Sequence, residues 1–114
     1  MTCLRSASST SPRLASVLLH CQCPTKIISE CAKRCRSILI TELYYPEMTG
    51  AVCELLPTQE NQAWHTWWRF GPDFFTRYLG VIGFGDTTVT LHEHRHTLVP
   101  ERMFPMFSVV GSRT

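Results

Sequence analysis

The clearest hydrophobic periodicity in the chain lies in residues 25–44. Apolar side chains recur there at the three- and four-residue spacing of one helix face, and polar or basic side chains fall between them. These apolar positions are Ile27, Ile28, Cys31, Cys35, Ile38 and Leu39. Pro24 or Thr25 suits the start of a helix, and Pro46 disfavours a helical residue before it. The pattern predicts an amphipathic helix over about residues 25–44.

A different pattern, typical of strands, covers residues 78–110. Apolar residues 78–84 and Thr-rich, alternating residues 87–97 flank a Gly-Asp pair that suits a two-residue turn. Residues 104–110 can add a third short strand, which Pro105 restricts to a sheet edge. We therefore expect a small antiparallel hairpin or three-stranded sheet over about residues 78–110. With the helix, this predicts an α+β fold.

Large aromatic side chains are concentrated between these two segments. They are Trp64, Trp67, Trp68, Phe70, Phe74, Phe75 and Tyr78. Pro72 interrupts the block and would allow a short helix from there through Tyr78. So many aromatics exceed what one small core easily buries, and an exposed remainder would make the surface adhesive. The aromatic-rich middle therefore indicates a surface for a partner protein.

The first 23 residues differ in composition from the rest of the chain. They are rich in Ser and Thr and contain Arg5 and Arg13 but no acid, as organellar transit peptides do. We expect residues 1–23 to be a disordered or targeting leader and residues 24–114 to be a single small domain. Localisation stays open on this basis: an intracellular site is favoured, with the mitochondrion as a candidate destination.

Length and charge exclude several classes of protein. A chain of 114 residues is one small domain at most. The formal net charge of +2 does not by itself argue for nucleic acid, although residues 1–41 carry six basic side chains against one acid. No apolar stretch approaches the roughly 18 residues of a membrane span. Nucleic acid is therefore a disfavoured partner, and no membrane span is expected.

The six cysteines all lie in the N-terminal half of the chain. Four of them could supply thiolates to zinc: Cys21, Cys23, Cys31 and Cys35. The chain has no C-x2-C pair, the spacing typical of structural zinc sites. Disulfides, or burial of Cys31 and Cys35 as small hydrophobes, are the alternative interpretations.

Three histidines at alternate positions form the most suggestive local motif. On a strand, His92, His94 and His96 would project from one face, an arrangement that can hold zinc or non-haem iron with a further ligand. The simpler interpretation is the solvent-facing side of a strand. No cofactor is required by the sequence, and zinc is the one that these residues could hold.

No catalytic signature is present: the chain lacks G-x-S-x-G, H-E-x-x-H and the P-loop motif. The sequence therefore predicts a small non-enzymatic protein that acts through protein–protein interaction. Its expected contact residues are Trp64, Trp67, Trp68 and Arg69 of the aromatic block, with Lys33 and Arg34 of the predicted helix. One alternative is a zinc-binding module that could associate with nucleic acid. Another is an overlapping reading frame without selected activity, since Arg greatly outnumbers Lys.

Overall fold

A mixed β-sheet with two helices on one face forms most of the molecule. The computed structural model describes residues 4–5, 12–15, 17–61, 66–95, 98 and 101–113. The described strands are β1 (Leu4–Arg5), β2 (Pro12–Ala15), β3 (Ser37–Leu43), β4 (Cys53–Leu55), β5 (Trp68–Phe70), β6 (Asp86–Arg95) and β7 (Met103–Ser112). The helices are α1 (Pro24–Ala32) and α2 (Pro72–Val81), and a single 3-10 turn lies at Leu18–His20. This architecture confirms the predicted α+β class.

The strand order of the main sheet is β1-β2-β3-β7-β6, and β4 pairs with β5 in a separate two-stranded sheet. Strands β2 and β3 are parallel, whereas β3 and β6 both pair with β7 in the antiparallel sense. A parallel pair needs a crossover connection, and the 3-10 turn and α1 supply it. The sheet is therefore larger than the predicted antiparallel hairpin and includes a βαβ unit.

The predicted helix over residues 25–44 is wrong beyond Ala32. Residues 37–43 form β3, whose side chains alternate between partly buried and buried. The same apolar residues fit a period of two, and pairing with β2 on one side and β7 on the other decides between the two structures. Arg113 also helps to end α1, because its guanidinium donates to the carbonyl oxygens of Ala32 and Cys35.

The expected strand over residues 78–84 is also wrong. Helix α2 begins at Pro72, as predicted, but continues to Val81. The chain then turns through Gly83, whose φ of 105° suits glycine, before β6 begins at Asp86. The hairpin of this region is formed by β6 and β7, so the predicted third strand at 104–110 is confirmed within β7.

Strand β7 lies inside the sheet, so the expectation that Pro105 confines it to an edge is wrong. Strand β3 ends with Leu43 opposite Met106, one residue before β7 would present Pro105 to it. The Tyr44 N–H still donates to the Pro105 carbonyl oxygen at 2.9 Å. The missing proline N–H therefore costs a single bond at the end of the β3 ladder.

The core lies between the sheet and the helices. It combines Ile38 and Ile40 of β3, Phe107 and Val109 of β7, Ile28 of α1, and Phe75 and Leu79 of α2. Leu14 of β2 and Leu18 of the 3-10 turn are also fully buried there. The described part of the predicted leader therefore joins the sheet and core, while residues 1–3, 6–11 and 16 lie outside the described residues. Neither described helix is long and apolar enough to cross a membrane.

Candidate functional site

A cavity of about 370 Å³ opens where β3 ends. Leu19 and His20 border it from the segment after β2, and Glu42, Leu43 and Tyr45 border it from the end of β3. Because β2 and β3 are parallel, both segments follow the carboxyl ends of their strands. Open α/β sheets bind their ligands outside the carboxyl ends of parallel strands, and this cavity has that location.

Glu42 is the one charged or polar residue that is fully buried in the described part of the chain, with 1% of its surface exposed. The register of β3 places it on the same face as Ile38 and Ile40, so its carboxyl enters the core side of the sheet. Its Oε2 accepts a hydrogen bond from the Leu18 N–H at 3.2 Å, which satisfies a free donor at the start of the 3-10 turn. Its Oε1 is buried, and no described residue offers it a hydrogen bond.

The environment of Glu42 changes its ionisation. Burial raises the pKa of the carboxyl to about 8, although hydrogen bonds from the Leu18 and Leu19 N–H groups act in the opposite direction. Burial also raises the pKa of the Cys21 thiol, and the nearby Glu42 makes a smaller contribution of the same sign. At neutral pH the cavity therefore contains a carboxylic acid that still holds its proton.

Aromatic side chains form much of the cavity wall. Trp68 and Phe70 of β5, Tyr45 and Phe104 line it together with Met106. The Trp68 Nε1–H donates to the carbonyl of Cys21 at 2.9 Å, and the neighbouring Trp67 N–H donates to that of Leu19 at 2.7 Å. These bonds tie β5 to the 3-10 turn, so this part of the wall is preformed.

Basic and neutral polar groups complete the lining. Arg69 places its guanidinium 4.8 Å from the centre of the Tyr45 ring and forms a 3.6 Å ion pair with Glu54. His20, Thr66 and His94 also line the cavity. The arrangement combines aromatic surfaces, a buried neutral acid and an arginine that is partly exposed.

The structure separates the residues that were predicted to contact a partner. Trp68 and Arg69 line the cavity and Trp67 lies beside them, whereas Trp64 falls outside the described residues. Lys33 and Arg34 are exposed after the end of α1, where the Lys33 Nζ lies 3.0 Å from the Glu30 carboxylate. Neither basic residue lines the cavity, and a role for this set in partner binding stays a prediction.

The predicted histidine motif lies on β6. His92 and His94 share one face of the strand, but His92 Nε2 is hydrogen-bonded to Ser108 Oγ at 2.9 Å, while His94 lines the cavity. His96 falls outside the described residues. Within the residues that the structure describes, no group of three or more His, Cys, Asp or Glu side chains is placed to hold a metal ion.

The four candidate cysteine ligands occupy different environments. Cys21 is buried with its thiol directed to the Val17 carbonyl at 3.2 Å, and Cys23 is exposed just before α1. Cys31 is disulfide-bonded, and Cys35 lies in the core beyond the end of the helix that was expected to carry both. In the described structure they do not assemble a metal-binding group.

Glu42 escaped the sequence analysis for a specific reason. When residues 25–44 are interpreted as a helix, position 42 falls in the last turn, where an acid at the end of the apolar stripe is unremarkable. As a strand, Ser37–Leu43 places Glu42 on the face of Ile38 and Ile40, so an acid interrupts a buried stripe. That interruption was the available signal, and it needed the correct period to be seen.

Comparison with known proteins adds one fold relationship. No protein family model matches the chain, and no curated protein matches it significantly. Two crystal structures of the N-terminal domain of EvdMO1 are similar, one with SAH bound and one in the presence of SAH and D-fucose. Each has a TM-score of 0.58 and 16% identity over 91% of this chain. The chain spans about half the length of these structures, 47% and 46%.

This relationship corrects the functional prediction. An identity of 16% shows a shared fold, and the fold is that of a domain crystallised with SAH. The expectation of a non-enzymatic protein acting through protein–protein interaction is therefore wrong. The sequence analysis required no cofactor and named zinc alone as one that could bind, whereas the structures of similar fold were crystallised with SAH. The alternatives of a zinc module and an unselected reading frame find no support in this fold.

Proposed function

We propose that this chain forms the ligand-binding part of a methyltransferase-type enzyme and that its cavity takes SAH and the related methyl donor. SAH is S-adenosylhomocysteine, the product that S-adenosylmethionine leaves after donating its methyl group. The observation that carries the proposal is the cavity at the carboxyl end of β3, which the buried Glu42 borders, in a fold shared with an SAH-bound domain.

The residues of the cavity suit the parts of such a ligand. The faces of Tyr45, Trp68 and Phe70 offer apolar and stacking contacts to a planar base. The Glu42 carboxyl can form a hydrogen bond with a ribose hydroxyl or with an amino group of the ligand. Arg69 supplies the positive charge that the carboxylate of an amino-acid tail would pair with. A volume of about 370 Å³ is within the usual range for small-molecule sites.

The chain lacks the G-x-G-x-x-G motif of dinucleotide-binding folds, and this absence does not oppose the proposal. In dinucleotide-binding folds the glycines let the backbone approach a pyrophosphate at a helix N-terminus. SAH contains no phosphate, so a site for it does not need that backbone approach. The chain accordingly can offer side chains where a dinucleotide site would offer a loop.

Calorimetric titration with SAH tests the proposal. Thr66 lines the cavity from the residues just before β5, so Thr66→Trp should fill it without altering the core. We expect saturable SAH binding by the wild-type chain and at least about tenfold weaker binding by Thr66→Trp, a loss of roughly 1.4 kcal/mol. Thr49→Trp, at an exposed position outside the cavity, is the matched control and should bind as the wild type does.

Two results would contradict the proposal. One is the absence of saturable SAH binding by the wild-type chain. The other is equal affinity in the wild type and in Thr66→Trp, which would place the SAH site elsewhere.

A further inference from the structure

We infer that Glu42 makes the cavity selective for a positively charged ligand, whose cation lies beside Oε1 while the carboxyl gives up its proton. The inference rests on the proposed function and deepens it by naming the preferred form of the ligand. S-adenosylmethionine carries a sulfonium cation and an ammonium group, whereas SAH carries the ammonium group alone. The chemistry recognised is therefore that of an onium cation.

The two carboxyl oxygens of Glu42 have different surroundings. Oε2 accepts a hydrogen bond from the Leu18 N–H, whereas Oε1 is buried and has no hydrogen-bond partner among the described residues. Glu42 is one of the residues that border the cavity. A buried polar atom without a hydrogen bond lowers the stability of the folded protein. A ligand that supplies the missing hydrogen bond removes this penalty and therefore binds more tightly. A cation supplies the strongest partner, because a hydrogen bond or ion pair to a charged group exceeds one between neutral groups.

Aromatic rings line the cavity that Glu42 borders. The ring faces of Tyr45 and Trp68 carry partial negative charge and attract cations that lie over them. Tyr45 already shows this behaviour, since the Arg69 guanidinium lies 4.8 Å from its ring centre. A cavity that combines such rings with a buried carboxyl resembles the general design of onium-binding sites, in which desolvated cations contact aromatic faces.

Few basic side chains surround Glu42 in the described structure. Among the described residues, Arg69 of β5, His20 at the end of the 3-10 turn and His94 of β6 line the same cavity. Arg69 is engaged by Tyr45 and Glu54 and is partly exposed. Strand β7 has no ionisable side chain. Arg13 of β2, Lys26 of α1 and Lys33 just after α1 are exposed. Within the described structure, Glu42 thus has no cation of its own, and the ligand would bring one.

Binding of the cation should therefore release a proton. Burial holds the pKa of Glu42 at about 8, so the carboxyl is mostly protonated at pH 7. A cation beside Oε1 lowers that pKa, and about 0.9 proton should leave per ligand bound at pH 7. Affinity for a cation should rise about tenfold per pH unit well below pH 8 and then level off. A neutral ligand should show neither effect.

Three probes with the same adenosyl thioether core test this inference by calorimetry of the full chain. They are S-adenosylmethionine, SAH and 5′-methylthioadenosine, which has neither cation. Titrations at pH 7 in buffers of different ionisation enthalpy give the protons released per ligand. We expect S-adenosylmethionine to bind at least about tenfold more tightly than 5′-methylthioadenosine, with proton release close to one. The SAH arm identifies the cation: SAH should match S-adenosylmethionine if the ammonium group is recognised, and match 5′-methylthioadenosine if the sulfonium is.

Glu42→Gln supplies the decisive variant, because glutamine keeps the size of the protonated acid and cannot ionise. It should lose the preference for S-adenosylmethionine over 5′-methylthioadenosine and release no proton. Glu60→Gln, at an exposed position outside the cavity, is the matched control and should behave as the wild type. If Glu42→Gln does not fold, the wild-type pH series decides: an affinity for S-adenosylmethionine that is flat from pH 6 to 8 overturns the inference.

The failures of the two proposals are distinguishable. Equal binding of all three probes without proton release would overturn the cation preference and leave the proposed function intact. Binding of none of the three would overturn both. Retention of proton release by Glu42→Gln would also overturn the inference, since another group would then be the source of the proton.

Discussion

Strands β3 and β6 pair with opposite sides of β7, yet their environments differ sharply. Ile40 of β3 and Val89 of β6 both lie opposite Val109, and both belong to the core face of the sheet. Ile40 is 0% exposed, whereas Val89 is 39% exposed. Strand β3 has a strand on each side and α1 packed against it, while β6 ends the sheet in the described part of the chain. The position in the sheet, rather than the residue type, decides the burial.

The same comparison separates conspicuous residues from chemically altered ones. The histidines are conspicuous in the sequence, but His92 and His94 lie on the exposed strand β6. Glu42 is inconspicuous in the sequence, yet it lies on the buried strand β3, where burial raises the pKa of its carboxyl. Burial converts an ordinary side chain into a reactive one, so the strand with the plainer sequence carries the candidate site.

The largest expected effect is a dependence of stability on pH that comes from the buried strand. The pKa of Glu42 rises from 4.5 to about 8 on folding, so between these values the folded state holds a proton that the unfolded state has lost. The free energy of unfolding should therefore fall as the pH rises through this window, by up to about 5 kcal/mol. Urea denaturation of the wild type and of Glu42→Gln from pH 4 to 9 measures the loss, which the variant should not show.

Glu93→Gln is the matched control on the exposed strand β6. It should follow the wild-type pH dependence. If the free energy of unfolding depends on pH in the same way in the wild type and in Glu42→Gln, then Glu42 is not the source of the dependence. The two strands would then differ in burial but not in electrostatics.

Truncation of equivalent residues on the two strands should have unequal costs. Ile40→Ala should lower the free energy of unfolding by about 3 kcal/mol, because it leaves a cavity in a closely packed core. Val89→Ala should lower it by less than about 1 kcal/mol, since its side chain already contacts water. Urea midpoints of both variants at one pH measure the difference. Similar losses would mean that β6 is covered in solution.

Gly111 of β7 tests how closely the helix covers the sheet between the two strands. It lies opposite Ile38 of β3 and Thr87 of β6, and a Cβ there would come within 2.9 Å of Leu79 Cδ1 in α2. Gly111→Ala should therefore cost about 2 kcal/mol through overpacking. Ser112→Ala, one residue along on the opposite face, should cost little. A stability change below about 0.5 kcal/mol in thermal unfolding of Gly111→Ala would show that α2 yields easily.

The smallest effect is expected from the histidine motif. His92→Ala removes one exposed hydrogen bond to Ser108 Oγ, so the free energy of unfolding should fall by less than about 1 kcal/mol. Chemical denaturation of the variant and the wild type at one pH gives the measurement. A loss above about 2 kcal/mol would reveal a structural role that the exposed position of β6 does not predict.

The local sequence pattern predicted several features of the fold correctly, and the wrong secondary-structure predictions share one cause. Pro24 and Pro72 begin the two helices, as residues tolerated in a first turn should, and residues 104–110 are extended. The errors lie where one apolar pattern fits two periods: residues 37–43 suit a helix face and also a strand. Of the candidate site, Trp68, Arg69 and His94 were noticed for other reasons, and Glu42 was not.

The sequence by itself determined the α+β class, the starts of the helices and the extended tendency of the last segment, because these depend on single residues and their neighbours. Tertiary structure decided that Ser37–Leu43 is a central strand, that β7 lies inside the sheet and that Glu42 is buried beside a cavity. Intrinsic helix and strand preferences amount to less than about 1 kcal/mol per residue, whereas burying one large side chain contributes about 1.5–3 kcal/mol. Contacts between residues far apart in the chain therefore override the local pattern, and they alone set the ionisation of Glu42.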